Sequence, residues 1–165
     1  MTIFKRTVAS ILLLVCLLSL ASCAGDDTGM DDLVAIRAKL TAKGYQANIT
    51  APVEISIVNQ LEATHSNGAS LSVVLFRDEQ SAICYYEIMK GQVEYYIAQN
   101  EQEAQYLSHM VNTYGSEMSA DEITEAEGNV AYFQKCADDT RKTVCVRHGK
   151  AVVMATTQEA YEDCK

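Results

Sequence analysis

The chain has 165 residues, with 13 lysines and arginines against 22 aspartates and glutamates, for a formal net charge of −9. That length suits one domain. The acidic balance argues against a nucleic-acid binder, which carries a basic footprint, and against charge-driven adhesion to anionic lipid.

Met1 to Arg6 is a short basic start, and Thr7 to Leu18 is an apolar run. That run is shorter than the roughly 20 apolar residues a bilayer span needs. A basic start, a short apolar stretch and small residues spell a secretory signal over residues 1–22. The segment that ends it, Leu20-Ala21-Ser22-Cys23, resembles the lipobox of bacterial lipoproteins: an aliphatic residue, two small residues and a cysteine. The resemblance implies a diacylglyceryl thioether on Cys23, which then becomes the first residue of the mature chain. Two acyl chains hold a protein at a membrane durably, whereas one does not. Ala24 is not the aspartate that marks inner-membrane retention in Gram-negative lipoproteins. The resemblance therefore implies the outer membrane of a Gram-negative cell, or the outer face of a Gram-positive membrane. Loss of Lys5 and Arg6 with the signal moves the net charge from −9 to −11.

Residues 23–29 are small, acidic and glycine-bearing, a lipidated flexible tether. Asp26, Asp27, Asp31 and Asp32 lack the spacing and the distal glutamate of a calcium loop. A single α+β domain is expected over 30–165. It opens with a helix from Met30 to Lys43, on which Leu33, Ile36 and Leu40 share a face. Gly44 is a left-handed terminator that lets Tyr45 fold back on Leu40. Gln46–Thr50 reads as a strand. The alternation of Val53, Ile55 and Ile57 suits another, although a short helical turn is the alternative there. Leu61–His65 and Ser70–Phe76 flank Asn67-Gly68, a hairpin signal in which both central residues would take positive φ.

Asp78 caps a helical region that reaches about Tyr114, with Gly91 as a bend or the far part projecting. Gly115 to Glu127 reads as a loop or short helical link. Asn129–Lys135, Thr143–Arg147 and Ala151–Ala155 read as strands. Thr156 with Glu159 forms a capping box that opens a last helix to Cys164. The expected order is αβββαβββα, an antiparallel sheet of hairpins packed by helices. The pattern Gly44-Tyr45, Asp78-Glu79 with Tyr85-Tyr86, and Gly149-Lys150-Ala151-Val152-Val153 resembles that of small bacterial lipoproteins with no assigned activity. It implies no chemistry.

Four cysteines remain in the domain, Cys84, Cys136, Cys145 and Cys164. An even number in an exported domain points to two disulfides, with three connectivities. Cys136 and Cys145 sit symmetrically about the expected turn at 138–141, which would place them opposite one another. That leaves Cys84 to pair with Cys164. The alternative is metal binding with His65, His109 or His148, but no C-x2-C or H-x3-H pair is present. No nucleophile elbow, S-x-x-K, H-E-x-x-H, phosphate loop or dinucleotide fingerprint occurs. No cofactor or metal is expected, and His65 and His148 read as exposed polar residues.

Six of nine tyrosines fall in the long helical region, and Tyr95 and Tyr96 point about 100° apart. They cannot all face one core. Tyr95, Tyr96 and Tyr106 are the candidate binding surface, since tyrosine offers a flat apolar ring and a polar tip. The sequence thus supports a membrane-anchored, extracytoplasmic, non-enzymatic module for a protein or envelope component. A structural envelope protein, or an enzyme of unfamiliar type acting on an envelope substrate, are the alternatives.

Overall fold

A computed structural model describes residues 32–165, so the lipobox, Cys23 and the tether lie outside the described residues. The fold is α+β. Its elements are α1 (Leu33–Ala42), β1 (Gln46–Thr50), β2 (Ile57–Thr64), β3 (Ser70–Phe76), α2 (Glu79–Tyr114), α3 (Ala120–Arg141), β4 (Val144–His148), β5 (Ala151–Ala155) and α4 (Gln158–Cys164). The strands form one antiparallel sheet in the order β1-β2-β3-β5-β4.

Asp32, expected within the first turn of the opening helix, is instead its cap: α1 starts at Leu33 and Asp32 accepts from the Ala35 N–H. At its other end the Tyr45 N–H donates to the Leu40 carbonyl at 3.0 Å and the Gly44 N–H to Thr41 at 3.1 Å, with Gly44 at φ +91°. That is a Schellman closure, and Tyr45 is buried by it. The β2–β3 turn forms around Asn67-Gly68, but only Gly68 takes positive φ. Asn67 instead accepts the Ala69 N–H through Oδ1. Val53 and Ile55 are exposed in the connection ahead of β2, which starts at Ile57. The α4 cap is Thr157, one residue later than expected. Thr156 is drawn away from that role because its hydroxyl and backbone bond Ser70 on β3.

One sheet face carries Leu61, Ala63, Leu71, Val73, Ala151, Val153 and Ala155, and α1 and α4 close over it with Leu33, Ile36, Leu40, Tyr161 and Cys164. The opposite face carries Val74, Phe76 and Val152 under Ala82, Tyr85 and Tyr86 of α2. Central strands β3 and β5 are apolar on both sides for that reason. The outer strands β1 and β2 turn Asn48, Thr50 and Glu62 outward on the α2 side.

The largest departure from the sequence expectation is at residues 129–135. They form no strand; they lie within the 22-residue helix α3, which Ser119 and Glu122 open with a reciprocal capping box. The reason is a partner. Half-buried or buried residues recur at alternating spacings of four and three along α2 (Val93, Ile97, Asn100, Ala104, Leu107, Val111) and α3 (Ile123, Ala126, Val130, Phe133, Ala137, Thr140). That is the period of two helices meeting along a seam. Ala104 and Ala137, both buried, let the backbones approach, and Arg141 pairs with Glu101 across the seam. Helix α2 runs unbroken through Gly91 for 36 residues, about 54 Å. Its first turns lie on the sheet and its remainder pairs with α3, so a helical arm is inserted between β3 and β4. Gly115 turns the chain at the end of α2, where a Cβ would run into the Val111 carbonyl oxygen.

Candidate functional site

The sequence placed four cysteines in two bridges, and the fold removes the premise of both. Cys136 stands on α3 and Cys145 on β4, so no hairpin sets them face to face. Cys84 is exposed on α2 and Cys164 is buried among α1 and α4, on the other side of the sheet. A bond limited to a Cα separation of about 7 Å cannot cross a sheet to join them. All four are free thiols. Burial pushes the Cys164 thiol up to about 11 and raises that of Cys145, so neither is poised as a nucleophile. Among the described residues no group of three or more His, Cys, Asp or Glu side chains is placed to hold a metal ion.

A cleft of about 960 Å³ lies where the β2–β3 turn, α4 and the end of α3 converge. Its lysines and aspartates are matched to one another. Lys43 pairs with Asp163 at 2.5 Å, and the Tyr45 hydroxyl donates to the same carboxylate at 3.1 Å. Lys43, and then Tyr45, hold the Asp163 carboxyl below the usual range. Burial and that hydrogen bond push the Tyr45 phenol up to about 12. Lys135 and Lys142 both bond Asp139 and bring it down to about 2. His65 is half-buried, its ring 5.0 Å from Tyr45, and its Nδ1 accepts the Asn67 N–H at 3.3 Å. Nδ1 is thus engaged as an acceptor, and no hydroxyl or thiol nucleophile is paired with the ring. The cleft thus presents ion-paired lysines and aspartates, with Glu159 lining it outside those pairs.

His148, expected as an exposed turn residue, is half-buried on β4 with Nε2 2.9 Å from the Tyr161 hydroxyl. Its Nδ1 is buried without a hydrogen-bond partner among the described residues. Burial lowers its pKa, helped by the charges of Lys165 and Arg147. A histidine held neutral in the fold contributes stability that is complete above the unfolded value of about 6.5 and is lost as pH falls toward the lowered folded value. The urea midpoint is therefore expected to fall between pH 7 and pH 5, and His148→Gln to flatten that part of the profile. An unchanged slope in the variant would assign the drop to other groups.

The candidate tyrosines fare differently. Tyr95, Tyr96 and Tyr106 are 63%, 54% and 57% exposed. At 3.6 residues per turn, Tyr95 and Tyr106 lie about 20° apart, and Ile88, 59% exposed, falls in the same row. Tyr96 stands about 100° round the helix, its ring edge-on to Tyr95 at 5.8 Å. The row extends about 27 Å and lies opposite the α2–α3 seam. Between Ile88 and Tyr106 it is filled by exposed Gln92, Gln99 and Gln102, and His109 continues it. The outermost face of a solvated helix ordinarily carries charges; this one carries none. The only cation of α2, Lys90, lies about 160° away from Ile88, on the side where its charge acts on Cys145. Sequence reasoning found the tyrosines but missed Ile88 and the uncharged row. The signal was present as spacings of seven and eleven residues, which need the helix to be known as continuous. No family model, curated protein or solved structure matches the chain.

Proposed function

We propose that this chain is a lipid-anchored, extracytoplasmic binding module, moored through Cys23, that engages a protein of the cell envelope through the outward face of α2. The observation that carries the binding reading is the uncharged row bearing Ile88, Tyr95 and Tyr106, exposed on a helix that leaves the sheet. Interface centres are depleted in charge and enriched in tyrosine, and this face has both properties. The anchoring reading is supported by the lipobox pattern at Leu20-Ala21-Ser22-Cys23. Among the described residues no helix is long and apolar enough to cross a membrane. The lysines and aspartates of the cleft are bonded to one another, which favours the binding reading over a catalytic one.

Two measurements test this reading. Cys23→Ser is expected to abolish acylation and leave the protein in the soluble fraction or as an unprocessed precursor; unchanged membrane retention would defeat the anchor. A photo-cross-linking residue at position 95 or 106, in the membrane-bound protein, is expected to capture one species that the same group at exposed Val34 on α1 does not. Equal yields at all three positions would remove the row as a binding face.

A further inference from the structure

We propose that the occupant of this face is a basic amphipathic segment of a protein, a deduction that rests on the binding-module reading above. Its apolar side would cover Ile88, Tyr95 and Tyr106, and its lysines or arginines would meet Glu87, Glu94 and Glu103 at the edges.

The size of the row decides the matter. A strip about 27 Å long and roughly 10 Å wide covers about 270 Å², near a third of the 800 Å² a stable complex buries on each partner. A stable partner must therefore spread over both flanks of the helix. Glu87 and Glu94 stand on one flank and Glu103 on the other, each about 80–100° from Tyr95, with Lys90 one turn from both Glu87 and Glu94. All three are exposed, and none has an ion-pair partner among the described residues. Covering a carboxylate without a cation costs desolvation that nothing returns, so an uncharged or acidic partner is penalised where it spreads. A second copy of this chain is penalised most. Helix α2 holds five carboxylates against Lys90 alone, and residues 91–134 hold no lysine or arginine, so two such faces repel. Arginine gains twice here, since its guanidinium also packs on tyrosine faces. A segment with an apolar stripe and cationic borders answers both the centre and the flanks, in the manner of a helix laid on a groove.

The test uses the full-length lipidated protein in neutral detergent and three synthetic helical peptides that share one apolar stripe. Their polar positions are all lysine and arginine, all glutamine, or all glutamate. Binding is read by fluorescence anisotropy at low and high salt. The basic peptide is expected to bind at least about tenfold tighter than the glutamine peptide, with the advantage lost at high salt. Glu87→Gln, Glu94→Gln and Glu103→Gln together are expected to remove that advantage while leaving the glutamine peptide's affinity and the protein's Tm unchanged. Tyr95→Ala with Tyr106→Ala is expected to weaken both peptides. Equal affinity for all three peptides overturns the basic-partner assignment. So does salt-independent retention on a neutral polysaccharide, or self-association that masks Tyr95. If cross-linking from positions 95 and 106 still captures a protein while the peptides show no charge preference, the binding-module reading stands and the partner chemistry fails. If neither capture nor peptide binding occurs, both fail.

Discussion

Leu61→Ala is expected to lower the stability of the folded chain by about 2–5 kcal/mol, the range for a buried leucine whose cavity cannot collapse. Leu61 is fully buried. It stands in a row that crosses every strand of the sheet: Ile49, Leu61, Val73, Val153 and Val146 are successive register partners. Ile36 and Leu40 of α1 belong to the same buried cluster. Backbone ladders on both sides fix the position of residue 61, so neighbours cannot move in to fill the gap. A domain of this size is stable by only about 5–15 kcal/mol, so the loss is a large part of the whole. Urea unfolding at neutral pH would show a lower midpoint with the slope preserved. Ile49→Ala, at the half-buried edge of the same row, should cost distinctly less. Equal costs at the two positions would mean that the row is not the centre of the core.

Ala104→Asp is expected to open the helical arm while the sheet stays folded. Ala104 is buried in the α2–α3 seam, and aspartate is too short to carry its charge out to water. An unpaired buried charge costs about 3–5 kcal/mol. The arm has little to set against that, because its seam residues other than Ala104 and Ala137 are only half-buried. Hydrogen exchange should show protection lost across roughly residues 100–140 and kept in β3 and β5. Ala104→Gly, which costs about 1 kcal/mol in helix propensity and adds no charge, should leave the arm protected. Uniform loss over arm and sheet would mean that the two fold as one unit.

These two variants divide the molecule along the line between what was legible in the sequence and what was not. The body could be read locally. Gly44 ends α1, Asn67-Gly68 turns the β2–β3 hairpin, and Ala151 to Ala155 are apolar without a break because they are covered on both faces. Each signal acts within a few residues, through a cap, a positive φ or a side-chain period. The arm could not be read that way. Val130, Tyr132 and Phe133 have strand propensity, and only the matching three-four spacing of α2 makes a helix the better burial for them. The expected strand carried the Cys136–Cys145 pairing with it, and both fall once α3 forms. The tyrosines were visible as a cluster, but their sorting into an exposed row with Tyr95 and Tyr106, and a flank with Tyr96, required a helix unbroken at Gly91.

Taken alone, the sequence determined the acidic balance, the lipobox pattern, the α+β class and the position of four of the five strands, because composition and short-range backbone preferences suffice for these. The tertiary structure alone decided that residues 120–141 are helical, that Cys84 and Cys164 lie on opposite sides of the sheet, and that the other described residues leave an uncharged face of α2 uncovered. Each of those depends on which surfaces meet across large separations in the chain. Burial of apolar area against a distant partner outweighs the few tenths of a kcal/mol by which local propensity separates strand from helix.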